Sequence, residues 1–217
     1  MKTLNKQAGF TLVEIAIVLV IIGLLLTGIL KGQEMIENAR VTNMVKDINN
    51  MTAAVTSYKS RYRGLPGDDL TTTTHTTRGW GTVTFTAGDN NALIGAGGTA
   101  VIFPPAATTE GMQAIQALRY AGFIEGSPAL LTLPQNAGDG FTAITNNVMG
   151  LGLRNVVCLN GLTGKQAGTL DRLLDDGVNS TGNFRATVAT STTTVAAPAA
   201  VENYAEATTG FMVCTPL

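Results

Sequence analysis

Gly9-Phe10-Thr11-Leu12-Val13-Glu14 opens an apolar run that reaches Leu30 with no charge other than Glu14. As a helix, residues 10–30 would span about 31 Å at roughly 1.5 Å per residue, which matches the hydrocarbon thickness of a bilayer. Glu14 lies inside that span. An unpaired acidic side chain there costs on the order of 2.5–3.5 kcal/mol on insertion scales, so its placement implies a partner. A secretory signal would instead put a small-residue cleavage site on the far side of the run, whereas Lys31-Gly32-Gln33-Glu34 leads straight into helical patterning. An ordinary single-pass anchor, with Glu14 near the interface, is the simpler alternative.

Beyond Leu30 the run becomes amphipathic. Met44, Ile48, Met51, Val55, Tyr58 and Tyr62 recur at alternating spacings of four and three, the signature of one apolar helix face. One helix is therefore expected through residues 10–63, with 10–30 in a membrane or among other subunits and 31–63 amphipathic, laying its stripe on a globular head. Gly23, Thr27, Gly28 and Gly32 allow close helix contacts, although glycine costs up to about 1 kcal/mol relative to alanine. Gly64-Leu65-Pro66-Gly67 ends the helix, with glycine as the cap and proline unable to continue the ladder.

The head comprises residues 64–217. Residues 64–109 read as an irregular, variable connection with a short strand at 82–86. Thr109 caps a short helix that Gly122 stops. Strands are expected at 129–133, 141–144, 148–153 and 156–159, a helix over 163–174, and two further strands around Phe184, Ala186 and Val188 and around Phe211 and Val213. The fold class is α+β, a long N-terminal helix packed against an antiparallel β-sheet, because the apolar face of such a sheet must be covered.

Lys2 and Lys6 in a short polar leader, followed by Gly9, Phe10, Thr11, Leu12, Glu14 and the long apolar stretch, resemble the N-terminus of type IV pilins and of type II secretion pseudopilins. The sequence Leu118-Arg119-Tyr120-Ala121-Gly122-Phe123-Ile124-Glu125-Gly126, with Gly64-Leu65-Pro66-Gly67-Asp68 and Asp175-Asp176-Gly177, extends the resemblance into the head. It implies that residues 1–9 are a leader removed by a prepilin peptidase between Gly9 and Phe10. It further implies N-methylation of Phe10, and a Glu14 carboxylate that meets the N-terminal ammonium of a neighbouring subunit. The implied partners are copies of the same chain in a helical filament, a cytoplasmic assembly ATPase and an inner-membrane platform protein. The implied location is the inner membrane of a Gram-negative-type bacterium, then an extracellular filament or a periplasmic pseudopilus. A major pilin, a pseudopilin and a minor pilin stay open, as does a membrane-anchored adhesion or binding protein that never polymerises. Many pilins carry a proline farther along the helix; here none precedes Pro66.

The two cysteines, Cys158 and Cys214, lack zinc-type spacing. Export to an oxidising compartment, and the family's habit of tying its C-terminal region, point to a disulfide, which by the chain-entropy model would contribute roughly 4 kcal/mol. Two separate buried thiols are the alternative. Charged residues make up 13% of the chain, and without the leader 12 basic side chains face 15 acidic ones, so no basic surplus points to nucleic acid.

No enzymatic constellation emerges. His75, the single histidine, sits in a threonine tract expected to be a solvated loop, and neither a nucleophile elbow nor a phosphate loop is present. No cofactor is expected, with one reservation. Asp171, Asp175 and Asp176 gather carboxylates suited to calcium, a cation that major pseudopilins bind in the head, although capping and turn-forming aspartates are the plainer reading. Asp68, Asp69 and Asp89 invite the same comparison. The threonine-rich tracts at 71–77 and 190–194 resemble O-glycosylated segments, with surface loops or edge strands as the plainer reading.

Overall fold

The computed structural model describes residues 10–69, 72–80, 85, 88–95, 109–188, 204–205 and 208–217. The leader with Gly9, most of the expected 82–86 strand and the 190–194 tract lie outside the described residues. The chain divides into two compact units, Met1–Ala39 and Arg40–Leu217. Helix α1 (Leu12–Tyr62) contributes to both.

In the first unit α1 is apolar on every side, and none of its most apolar stretch is buried. Such a helix belongs in an apolar surrounding rather than in water. Thr27 satisfies its hydroxyl on the Gly23 carbonyl at 2.9 Å, as intramembrane threonines do. The first ion pair after the run, Lys31–Glu34 at 2.8 Å, marks the return to polar surroundings.

In the second unit the predicted stripe is buried as far as Tyr58, and Tyr62 is half-buried. Val41, Met44, Ile48, Met51, Val55 and Tyr58 each fall below a tenth exposed and join one continuous core with the sheet. Each such side chain contributes about 1.5–3 kcal/mol of burial. The sheet comprises β1 (Thr142–Asn146), β2 (Asn155–Thr163), β3 (Arg185–Val188) and β4 (Thr209–Pro216), all antiparallel in the order β1-β2-β4-β3. Helix α3 (Glu110–Tyr120) packs on β1 and α4 (Gly164–Leu174) on β2 and β4. Both start as expected. Thr109 caps α3, while Thr163 and Gln166 form a reciprocal capping box on α4. Gly122, at φ 76°, stops α3 in a Schellman turn, with Phe123 N–H donating to Leu118 O at 2.9 Å and Gly122 N–H to Arg119 O at 3.0 Å.

Several expectations are corrected. The left-handed residue after α1 is Arg63, at φ 59°, rather than Gly64; Gly64 is needed because Asp69 packs where its side chain would be. Residues 148–153 form a turn, since Asn147 and Met149 adopt positive φ and so do Gly150 and Gly152, a backbone that cannot propagate a strand. Residues 129–133 are irregular, with Leu130 and Leu131 exposed. The connection 64–109 contains a short helix, α2 (Thr72–Thr77). His75 is buried there, with its ring 5.4 Å from Phe85, so it does not lie on a solvated loop.

The connection is fastened to α1 by one cation. Arg78 donates to Tyr58 OH at 2.6 Å and to Asp69 Oδ2 at 2.7 Å, and lies 4.5 Å from the Tyr62 ring centroid. Trp80 stacks on Tyr120 at 5.6 Å. Burial pushes the Tyr58 phenol upward, so it serves as a neutral donor to Asp69 Oδ1 at 3.1 Å. Such an arrangement favours a fixed loop over a mobile one.

Cys158 and Cys214 face each other in register across β2 and β4 and are joined by a disulfide. Its removal in Cys158→Ser/Cys214→Ser lowers unfolding stability by about 2–4 kcal/mol, measured by denaturant titration with and without reductant; the double variant should be insensitive to reductant. At the bulge in β2, a methyl group on Gly140 would meet Asn160 O at 1.9 Å, a backbone atom that cannot yield. Gly140→Ala should therefore cost about 1–3 kcal/mol in the same titration, whereas Gly28→Ala, in open space on a helix, should be neutral or stabilising in the isolated subunit.

Candidate functional site

The start of α1 is built from four residues. Thr11 precedes the first helical residue, and its hydroxyl accepts from Glu14 N–H at 3.3 Å. In return, Glu14 Oε2 accepts from Thr11 N–H at 3.1 Å and from Thr11 Oγ1 at 3.0 Å. These bonds form a capping box, which satisfies two amide donors that a helix start otherwise leaves open. The sequence reading missed this second role of Glu14, although the spacing Thr-x-x-Glu before an apolar run is its signal. The carboxylate also lies at the positive end of the helix dipole.

Both bonds from Thr11 converge on Oε2. Among the described residues Oε1 has no hydrogen-bond partner, and the whole residue is exposed, as are Phe10 at 83% and Leu12 at 91%. Phe10 and Glu14 are thus brought together at one helix end, with one carboxylate oxygen held and the other turned outward. Residues 10–30 carry no other charge. Such a site can accept a cation from outside the chain, with most effect where water is scarce.

The three aspartates also come together, with one oxygen from each of Asp171, Asp175 and Asp176 within 4.8 Å of the others. Protein donors already occupy most of this cluster. Asp171 accepts from Gly177 N–H at 3.0 Å and from the Tyr204 hydroxyl. Asp175 Oδ2 accepts from Asn183 N–H and Phe184 N–H, and Asp176 accepts from Val178 N–H and Thr181 Oγ1. A calcium ion would have to displace or share these bonds. The donors fasten the turn after α4 to β3, which is the work of turn-forming aspartates.

A second acidic cluster, Asp68, Asp89 and Glu110, is arranged in the same way. Asp68 accepts from Asn91 N–H at 3.0 Å and Ala92 N–H at 2.9 Å, and Glu110 from Gly95 N–H at 2.8 Å. These bonds hold residues 91–95 to Asp68, after α1, and to Glu110 at the start of α3. Burial pushes both the Asp68 and the Glu110 carboxyl upward. Asp69, grouped with these by the sequence reading, belongs to the Arg78 network instead.

Comparison with known proteins bears on the first of these sites. Residues 4–30 match a family model described as the prokaryotic N-terminal methylation motif, the signature of type IV pilins and pseudopilins. No curated protein and no solved structure matches the chain. The motif supports a type IV pilin-like or pseudopilin precursor, from a family of structural rather than enzymatic proteins. In general it implies prepilin peptidase processing and pilus-type assembly machinery, and with the apolar helix it is consistent with a membrane-anchored precursor. The α+β architecture, long helix plus four-stranded antiparallel sheet, is like that of type IV pilins.

Asp171 separates a turn from a metal site. Burial pushes its carboxyl above the usual 3.8. Its contribution to stability is therefore full below the unfolded-state value and is lost as pH rises through the higher folded-state value. Asp171→Asn should remove that loss and be neutral or stabilising at pH 7, since Tyr204 OH can accept from the new amide. Asp171→Ala should cost about 1–3 kcal/mol by orphaning Tyr204 and Gly177. On the turn reading, about 1 mM calcium leaves the wild-type thermal midpoint unchanged. A midpoint raised by calcium in the wild type but not in Asp171→Asn would assign the cluster to the ion.

Proposed function

We propose that this chain is a structural subunit of a type IV pilus-like filament, matured between Gly9 and Phe10, methylated on Phe10 and polymerised through α1. The observation that carries this reading is residues 10–30. From Leu12 they form a helix apolar on every side, with all its side chains exposed and a single carboxylate whose only partners among the described residues are the groups of its own capping threonine. A bilayer satisfies the apolar surface but supplies no cation for Glu14. The same segments of neighbouring copies satisfy both demands, because each mature subunit brings an apolar helix and a terminal ammonium at Phe10.

The physical sequence of assembly follows. In the membrane the subunit is stored with residues 10–30 in hydrocarbon. On extraction the segment exchanges lipid for neighbouring helices. Lipid tails are about as apolar as leucine, so the exchange has little hydrophobic driving force of its own. Close packing at Gly23, Gly28 and Gly32, where nothing lies within 4 Å of an added side chain, and the Glu14–ammonium pair provide selectivity. The work of extraction comes from a cytoplasmic ATPase acting through a membrane platform.

Glu14→Ala tests the role of the carboxylate. Membrane insertion should persist and become more favourable by about 2.5–3.5 kcal/mol on insertion scales, while sheared filaments disappear from electron micrographs. Glu14→Gln retains an acceptor for Thr11 but carries no charge, and it too should abolish filaments. Mass spectrometry of wild-type filaments should find a dominant chain beginning with methylated Phe10. Normal filaments from both variants would refute the assigned role. A wild-type chain absent from the bulk of any fibre would move it to a pseudopilin or minor subunit.

A further inference from the structure

Two open grooves of similar size flank the buried stripe of α1 in the second unit, and they carry opposite charge. The first, about 590 Å³, holds the carboxylates of Asp47 and Glu125 beside Asn50 and Ser57, with no basic residue in its lining. The second, about 600 Å³, holds Lys59, Arg63 and Arg154 beside Thr56. The one acidic residue in the second lining, Asp68, is buried with both oxygens occupied by the Asn91 and Ala92 amides. At about 100° per residue, Asn50, Ala54 and Ser57 lie on one flank of α1, and Thr56 and Lys59 lie nearly opposite, with Arg63 just past the helix end.

Among the described residues these charges are little used within the subunit. Glu125, Lys59 and Arg63 are exposed, and their side chains make no hydrogen bond or ion pair among the described residues. Arg154 makes one long contact, with Asn183 Oδ1 at 3.5 Å. Asp47 accepts a single amide bond, from Ala137 at 3.1 Å. We infer that the basic flank of one head docks on the acidic flank of a second copy, Lys59, Arg63 and Arg154 facing Asp47 and Glu125.

The occupant is a second copy because this chain carries both complementary surfaces. Two unlike patches make a heterologous contact, which propagates rather than closing on a two-fold axis. Because the basic flank lies farther along α1 than the acidic one, parallel copies meet it staggered along the helix axis. A staggered heterologous contact generates a screw, as a filament needs, whereas a level one would generate a ring. The inference rests on the filament reading and adds the sides by which neighbouring heads meet. Charge across such a contact fixes register and partner choice more than it adds affinity.

The test uses the full chain in a bacterial host that supplies a prepilin peptidase and assembly machinery. Glu125→Lys and Lys59→Glu should each lower the yield of sheared filaments about fivefold or more, while the membrane pool of subunit, followed by immunoblotting, stays constant. The combined charge swap should return the yield to within about twofold of wild type. Undiminished yields from the single variants, or a combined variant no better than the worse single one, would overturn the inference. So would a drop in the membrane pool that fully accounts for the lost filaments, unless the milder Glu125→Gln and Lys59→Gln, at full membrane levels, still lower the yield and raise its salt sensitivity. A wild-type chain that forms no filaments in this host, while a known pilin does, would instead refute the filament reading.

Discussion

A helix that is apolar all round and carries one carboxylate needs a surrounding that is both dry and positively charged, and neither water nor lipid provides it. That constraint governs the first unit. Its apolar residues exclude water as a resting environment, and Glu14 makes hydrocarbon an imperfect one. The capping box eases the second problem without solving it. Thr11 supplies two donors to Oε2, and the helix dipole favours negative charge at this end, but the net charge persists. On the proposed filament reading, a subunit held this way can be stored in a membrane and still gains from leaving it, because the terminal ammonium of a cleaved neighbour would supply the cation.

In the second unit the comparable constraint is the burial of α3. Every residue from Glu110 to Arg119 is buried, so the helix has no solvent face, and its polar side chains become fasteners for the surrounding loops. Glu110 holds Gly95, Gln116 holds Pro128 O at 3.2 Å, and Arg119 holds Glu125 O and Leu130 O. Each bond satisfies a group whose burial would otherwise cost about 1–3 kcal/mol. Together with Arg78 they fix the irregular segments on both sides of α3. The groove rims are therefore set by buried hydrogen bonds rather than by secondary structure alone.

This division explains what could be read from the sequence. The α1 stripe, the Thr109 and Thr163 starts, the Gly122 stop and four of the strand segments were legible, because spacing and capping act over a few residues. The fastening roles of Gln116 and Arg119 were not, because only the packing of loops over α3 shows them. His75 was misplaced for the same reason, since its cover, Phe85, lies ten residues away in an irregular segment. Residues 148–153 failed as a strand because their apolar side chains, Val148 and Met149, are buried from a turn with positive φ, which hydrophobicity alone does not reveal. At the N-terminus Glu14 was legible as an anomaly, and its resemblance to a family motif overshadowed the local spacing to Thr11.

The sheet order carries one further consequence. β4 lies between β2 and β3, so the two strands that precede it in sequence have no neighbour in common until it arrives. The β1–β2 hairpin can pair locally, whereas β3 joins the sheet through β4, which must itself pair with β2. That pairing closes the longest loop in the sheet and carries the largest entropic cost. The disulfide is placed on this pairing. Cys158 and Cys214 are opposed residues of β2 and β4, 56 positions apart, so the bond covalently holds the strand pair on which the rest of the sheet depends.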